Sequence, residues 1–88
     1  MAEVPATTID VITPAFNEQE NIVALLDAMP RTVVRQVIVV DNGSTDDTAK
    51  LAREHGAVVV HEARRGYGFA CLAGLAYARR ETPAIIAF

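Results

Sequence analysis

Four consecutive β-branched residues, Val37-Ile38-Val39-Val40, constrain the fold of this chain more than any other feature. A strand that is apolar at every position must be covered on both faces, as the strands of parallel sheets are. The run stops at Asp41-Asn42-Gly43, a cluster that is typical of turns. We therefore expect a buried central strand that ends in polar residues at one edge of a sheet.

Three further apolar segments have the length of strands: residues 9–12, 58–60 and 84–88. The segments between the strands have helical character, since apolar residues recur at helical spacing from Ile22 to Met29, for example. Strands that alternate with helices predict a parallel sheet with helices on both faces. The predicted fold class is α/β, a Rossmann-like βαβαβαβ parallel sheet.

Two loops carry residues that are typical of helix starts. Asn17, with Glu20 three positions later, matches a capping box and predicts the start of the first helix. Ser44 or Thr45 is expected to cap the second helix and to place Asp46-Asp47 in its first turn, where carboxylates complement the helix dipole.

The third predicted helix, residues 67–80, has one face of small residues: Ala70, Ala73, Gly74 and Ala78. Such a face predicts close packing of the helix on the sheet. Cys71 lies in the same run, and we interpret it as a small hydrophobic residue rather than a nucleophile.

Composition argues against several classes of protein. The 88 residues carry a net charge of −3 with a pI near 5.2, which is unlike proteins that bind nucleic acid by neutralising phosphates. The longest apolar stretch, residues 70–78, is far shorter than the ~20 residues of a membrane span, and no signal peptide is expected. A single cysteine forms no internal disulfide, so a cytoplasmic, reducing location is expected.

The residues that follow each strand are the candidate ligand contacts, because open parallel sheets bind ligands at the carboxyl ends of their strands. The loop after the first strand, residues 13–18, has no glycine, and no P-loop motif occurs in the chain. Both absences argue against a standard dinucleotide or P-loop site. The loop offers instead the ring of Phe16 and the carboxylate of Glu18, for which a ligand-binding role and a structural role both stay open.

The other two loops add a carboxylate and a cation. Asp41 can accept hydrogen bonds from a base or a ribose, or it can form a turn that leads into the next helix. Arg64-Arg65-Gly66 precede the third helix, where free N–H groups beside arginine suit an anion such as a diphosphate. His61 lies at the same edge, but no second metal ligand has a recognisable spacing from it.

Three segments carry a family resemblance: VITPAFNEQENI (residues 11–22), VIVVDNGSTDDT (37–48) and RRGYGFACLAGLAYAR (64–79). In this order and spacing they resemble the N-terminal, nucleotide-binding half of the family 2 glycosyltransferases, which have the GT-A fold. The resemblance covers about residues 8–88. The GYG segment is most similar to members that glycosylate polyprenyl phosphates, the dolichyl-phosphate mannose synthase-like enzymes.

The resemblance implies that a sugar is transferred from a UDP- or GDP-sugar to an acceptor with the help of a divalent metal, Mg or Mn. It also implies nucleotide-binding roles for Pro14, Ala15, Phe16, Glu18, Asp41, Asn42, Arg65 and Gly66. Two positions depart from the family pattern. Phe16 stands where a tyrosine is usual, and Asn42 replaces the second aspartate of the family's Asp-Asp-Gly-Ser loop.

The family's metal-binding Asp-x-Asp motif, its catalytic base and its acceptor site are expected beyond Phe88. Residues 1–88 are therefore expected to be a single truncated domain that supplies no catalytic residue or metal ligand and is inactive alone. One alternative is a non-catalytic module that pairs its exposed fourth strand with a partner chain or a second copy. Another is a nucleotidyltransferase, but the glycine- and basic-rich loop expected after its first strand is missing.

Overall fold

The computed structural model describes residues 9–80 and 85–88, with Ile85 described by its backbone alone. The elements within these residues are β1 (Ile9–Ala15), α1 (Ile22–Asp27), β2 (Val34–Asp41), α2 (Thr48–Glu54), β3 (Val58–His61), α3 (Tyr67–Ala78) and β4 (Ile85–Ala87). The predicted alternation of strands and helices is confirmed. Ala84, expected to start the fourth strand, lies outside the described residues.

The four strands form one parallel sheet in the order β3-β2-β1-β4. An apolar cluster that includes Ile22 and Leu26 of α1 and Ala52 of α2 covers one face of the sheet. A second cluster, which includes Ala70 and Ala78 of α3, covers the other face. The α/β Rossmann-like fold predicted from the sequence is confirmed.

The central strand β2 is buried on both faces. Val37, Ile38, Val39 and Val40 are all 0% exposed. Val37 and Val39 belong to the cluster beneath α1 and α2, whereas Ile38 and Val40 belong to the cluster beneath α3. Each such side chain stabilises the fold by about 1.5–3 kcal/mol relative to an exposed one. The alternation of side chains along β2 also determines on which face of the sheet each residue after Val40 lies.

Strand β1 extends past its predicted end near Thr13-Pro14. Pro14 pairs with Val40 and Ala15 pairs with Asp41, so the strand carries its last residues to the same level as the end of β2. Pro14 lies beyond the three residues of β1 that pair with β4. A proline, which lacks a backbone N–H, is tolerated where one side of a strand is unpaired.

The predicted helix starts are wrong by several residues. Helix α1 begins at Ile22 rather than after Asn17, and α2 begins at Thr48 rather than after Ser44 or Thr45. Helix α3 ends at Ala78, so Arg79 and Arg80 follow the helix instead of forming its last turn. The residues expected to cap α1 and α2 bond between loops instead.

Helix α3 rests on the sheet through its small residues, as predicted. A Cβ atom at Gly74 would overlap the side chain of Ile12 and would lie 3.0 Å from Cγ2 of Val40. Ala70 and Ala78, one turn away on either side of Gly74, are 0% exposed, and Cys71 beside them is half-buried. Because Gly74 has no side chain, the backbone of α3 lies closer to β1 and β2 than a Cβ at that position would allow.

A buried carboxylate joins β1 to β2 at the amino end of the sheet. Asp10 is 0% exposed and accepts hydrogen bonds from Arg35 Nε (2.8 Å), Arg35 Nη2 (2.6 Å) and Gln36 Nε2 (2.8 Å). The hydrogen bonds from Arg35 hold the pKa of Asp10 below its ordinary value, although burial alone would raise it, and Gln36 lowers it further. The carboxylate thus stays ionised inside the fold.

Replacing Gly74 with alanine is expected to destabilise the chain, because the new methyl group must displace α3 from Ile12. We expect a loss of about 1–3 kcal/mol in the free energy of unfolding, measured by urea denaturation. Gly68→Ala is the matched control, since a Cβ there meets nothing within 4 Å and alanine favours a helix. Equal stability of the two variants would contradict the close packing at Gly74.

The Asp10–Arg35 pair predicts a loss of stability in acid. Because folding lowers the pKa of Asp10, its contribution is present above the unfolded pKa of about 3.9 and is lost as the pH falls through the lower folded value. Asp10→Asn should cost about 2 kcal/mol at pH 7, and the difference from the wild type should shrink as the pH falls below 4. Urea denaturation at pH 7 and pH 3 measures both, and a difference independent of pH would refute the role of the charge.

Candidate functional site

Three loops meet at the carboxyl edge of the sheet, because β1, β2 and β3 are parallel and end at the same level. The first loop (residues 16–21) follows β1, the second loop (residues 42–47) follows β2, and the third loop (residues 62–66) follows β3. Every residue predicted to bind nucleotide lies in one of these loops or at the adjoining end of a strand. The fold therefore brings the three predicted segments together at the carboxyl edge of the sheet, as expected.

The first and second loops are bonded to each other through Asn17. Its backbone N–H donates to Ser44 Oγ (2.8 Å), and its side-chain Oδ1 accepts from the backbone N–H of Thr45 (2.9 Å). Asn17 adopts a positive φ of 52°, a conformation that asparagine tolerates better than most residues. These bonds explain why Asn17, Ser44 and Thr45 do not cap helices: their polar atoms hold one loop against the other.

Thr48, the first residue of α2, also connects the first and second loops through hydrogen bonds. It is 0% exposed, and its Oγ1 accepts a hydrogen bond from the backbone N–H of Glu18 (2.8 Å). Asp46 Oδ1 accepts from the backbone N–H of Thr48 (2.9 Å) and also from its hydroxyl. Burial opposes the ionisation of Asp46, but the bonds from Thr48 and Gln19 together lower its pKa. No sequence pattern predicts the bonds between the two loops, because Glu18 and Gln19 lie 27 to 30 residues from their partners Thr48 and Asp46.

Asn42 holds the third loop. Its Nδ2 donates to the backbone carbonyls of Glu62 (2.7 Å) and Arg64 (2.8 Å), and its Oδ1 accepts from the backbone N–H of Gly66 (3.0 Å). Asn42 is 8% exposed. An aspartate cannot make this set of bonds, because it has no N–H to donate to the two carbonyls. The asparagine at this position is thus matched to the loop that it holds.

Asp41 lies beside Asn42 with its carboxylate almost buried, at 5% exposure. Its Oδ1 accepts a hydrogen bond from the backbone N–H of Ser44 (3.0 Å), and its Oδ2 lies 3.3 Å from Nδ1 of His61. The turn formed with Ser44 was one of the two roles left open by the sequence. Since a carboxylate offers about four acceptor sites, Asp41 can form this turn and still accept from a ligand.

The two arginines of the third loop have different partners. Arg64 donates to Glu62 through Nη2 (2.6 Å) and Nε (3.1 Å), which lowers the pKa of Glu62 and raises that of Arg64. Arg65 instead stacks on the ring of Phe16, with its guanidinium carbon 4.1 Å from the ring centroid. Among residues 9–80 and 85–88, no carboxylate forms an ion pair with Arg65, so its charge is not neutralised by a partner there.

Two depressions flank these residues. A cavity of about 180 Å³ is lined by Thr13, Pro14, Ala15, Glu18, Asn21, Ile22 and Leu25. A more open groove of about 330 Å³ is lined by Arg65, Gly66, Gly68, Phe69 and Leu72. Of the predicted nucleotide-binding residues, three line the cavity and two line the groove. Phe16, Asp41 and Asn42 line neither depression. The ring of Phe16 contacts Arg65, which lines the groove.

The part of the chain that the structure describes holds no group of three or more His, Cys, Asp or Glu side chains able to bind a metal ion. The donor set present therefore does not fit a divalent metal, and we derive no step through one. No helix within residues 9–80 and 85–88 is long and apolar enough to span a bilayer.

Comparison with solved structures finds the same fold in enzymes of known chemistry. Glucosyl-3-phosphoglycerate synthase from Mycobacterium tuberculosis, solved with Mn²⁺, UDP and glucosyl-3-phosphoglycerate, superposes with a TM-score of 0.76 and 34% identity. The match covers 91% of this chain and 32% of that enzyme. A structure of the same enzyme with UDP alone superposes with a TM-score of 0.77.

Sequence comparison agrees. A glycosyltransferase of Mycobacterium tuberculosis described as uncharacterized is 46% identical over 78 residues, which are 89% of this chain and 35% of that protein. A low-salt glycan biosynthesis hexosyltransferase of Haloferax volcanii is 34% identical over 71 residues, 76% of this chain and 17% of that protein. The chain thus spans about a third of the length of the first relative. The sequence model of glycosyl transferase family 2 matches residues 10–88, and the chain belongs to that family.

Proposed function

We propose that these 88 residues bind the nucleoside diphosphate part of a nucleotide-sugar donor, and that the protein transfers the sugar to an acceptor. The observation that carries the proposal is that a nearly buried carboxylate (Asp41) and an aromatic ring stacked with a cation (Phe16 with Arg65) lie at the same carboxyl edge of a parallel sheet. Each matches a different part of a nucleotide, and the edge is where open α/β sheets bind ligands.

The nucleoside is assigned to Asp41 and Phe16, with the cavity at the end of β1 as a further contact surface. Asp41 accepts a hydrogen bond from an N–H of the base or a hydroxyl of the ribose. Phe16 is 42% exposed and offers its face to the base. Its contact with Arg65 contributes about 0.5–1 kcal/mol at an exposed site, so a base can displace the guanidinium at little cost. Pro14, Ala15 and Glu18 form the wall of the cavity.

The diphosphate is assigned to Arg65 and the start of α3. The first N–H groups of a helix have no partner within the helix, and in this helix the first intrahelical bond is donated by Ala70 to the Gly66 carbonyl (3.2 Å). The N–H groups of Tyr67, Gly68 and Phe69 are thereby available to phosphate oxygens. Gly66, at a φ of 127°, sets the turn that directs them outward, and Arg65 adds a full positive charge.

UDP is the nucleotide that we favour, because the structural neighbours hold UDP and UDP-glucose; GDP is the alternative. For the acceptor we propose a polyprenyl phosphate, on the basis of the GYG segment, with phosphoglycerate, held by structures of the mycobacterial synthase, as the second candidate. Those structures also hold Mn²⁺, whereas the described residues contain no cluster that would hold it. We therefore assign donor binding, and not the transfer step, to the described residues.

The proposal predicts that this chain binds UDP with a Kd of about a millimolar and that Asp41→Ala weakens binding about tenfold. That factor corresponds to one hydrogen bond to a charged acceptor. Asp47→Ala is the control, since Asp47 lies in the same loop and carries the same charge, but is exposed. Ligand-observed NMR titration measures both variants. Absence of binding by the wild type, or equal losses in the two variants, would contradict the proposal.

Asn42→Asp is expected to release the third loop, although the change is nearly isosteric and restores the residue usual in the family. The carboxylate would face the carbonyls of Glu62 and Arg64 and leave both without a donor, a loss of about 2 kcal/mol or more. Amide exchange at residues 62–66 should accelerate while exchange in α1 stays unchanged, and UDP affinity should fall. Unchanged exchange at residues 62–66 would refute the role of the Nδ2 bonds.

A further inference from the structure

His61 is placed by the register of the sheet against the carboxylate at the end of the neighbouring strand. Asp41 and His61 are paired residues of β2 and β3, so their side chains leave the sheet on the same face. That face is the one covered by α2, which brings Arg53 within hydrogen-bond distance of the imidazole ring. Nδ1 of His61 lies 3.3 Å from Asp41 Oδ2, and Nε2 lies 2.9 Å from Arg53 Nη2.

The two contacts determine which nitrogen of the ring carries the proton. A guanidinium has only donors and cannot accept a hydrogen bond, so Nε2 must be the unprotonated nitrogen if it bonds to Arg53. A neutral imidazole has a single N–H, which then lies on Nδ1 and faces the Asp41 carboxylate. Arg53 thus selects the tautomer in which the N–H of His61 lies on the nitrogen beside Asp41.

We propose that His61 is a positioning residue for nucleotide recognition: it fixes the orientation of the Asp41 carboxylate through Nδ1–H. The inference rests on the proposed nucleotide site, and it assigns a role to a residue that contacts no ligand itself. Asp41 then accepts a hydrogen bond from the Ser44 N–H on Oδ1 (3.0 Å) and has the polar Nδ1 of His61 in close electrostatic contact with Oδ2 (3.3 Å). Its rotation is restricted before a ligand arrives, and the remaining lone pairs point to the carboxyl edge. Such pre-orientation lowers the entropic cost of binding.

The tautomer is tested without any ligand by long-range ¹H–¹⁵N NMR of the imidazole ring at pH 8, where histidine is normally neutral. We expect the Nδ1–H form at His61 in the wild type and a loss of that preference in Arg53→Ala, which removes the donor to Nε2. An Nε2–H tautomer in the wild type would overturn the inference, whether or not the chain binds UDP.

The orientation of Asp41 is tested by three histidine variants. His61→Ala removes the Nδ1–H contact with Asp41 Oδ2, so the Ser44 amide that bonds to Asp41 Oδ1 should exchange faster. His61→Asn places an N–H near the former Nδ1 and should keep that amide protected. His55→Ala is the matched control: His55 also lies beside a carboxylate, with Nδ1 3.2 Å from Asp27 Oδ1, but at the C-terminal end of α2. It should leave exchange at Ser44 unchanged, and equal exchange in all three variants would overturn the inference.

UDP titration separates this inference from the proposed function. We expect His61→Ala to weaken UDP binding about fivefold, because the Asp41 side chain must then be ordered when the ligand binds, and His61→Asn and His55→Ala to stay within about twofold of the wild type. If the wild type binds UDP and His61→Ala binds equally well, the positioning role is wrong. If the wild type binds no UDP, the proposed function fails, and the tautomer and exchange results still decide whether His61 orients Asp41.

Discussion

The burial of β2 on both faces is the constraint on which the site depends. Because side chains alternate along a strand, the register that buries Val39 under α2 and Val40 under α3 also directs the next two residues to opposite faces. Asp41 therefore meets the α2 side, where His61 and Arg53 lie, and Asn42 meets the α3 side, where the third loop begins. Shifting β2 by one residue would exchange the two roles and bury a charge against α3.

The contributions of Asp41 and Asn42 are correspondingly different. Asp41 keeps acceptor capacity at the edge of the sheet, whereas the side chain of Asn42 uses both N–H groups and its oxygen on backbone atoms of the third loop. The arginines of that loop are divided in the same way. Glu62 binds Arg64, while Arg65 lies on an aromatic ring that it can leave at little cost. Asn42 and Arg64 therefore stabilise the third loop, whereas Asp41 and Arg65 keep groups that can bind a ligand.

Sequence patterns predicted the strands, the sheet and the edge at which the candidate residues meet, because burial of apolar runs leaves a strong local signal. They did not predict the bonds between Asn17 and the second loop, or between Asn42 and the third. An asparagine or serine after a strand satisfies the local rule for a helix cap equally well, and the choice between a cap and a partner 20 to 28 residues away is made by the tertiary fold. Asp41 and His61 could each be placed at the edge from the sequence, but their contact depends on the register of β2 and β3.

The packing of α3 on the sheet at Gly74 affects the geometry of the candidate site. Gly74 lies eight residues after Gly66, about 12 Å along the helix axis, and it sets how closely α3 approaches Ile12 and Val40. Because α3 is a continuous helix, its distance from the sheet at Gly74 also determines the position of its N-terminal N–H groups relative to the ends of the strands. The absence of a side chain at Gly74 therefore sets the distance between the start of α3, where we propose that the diphosphate binds, and the carboxylate of Asp41.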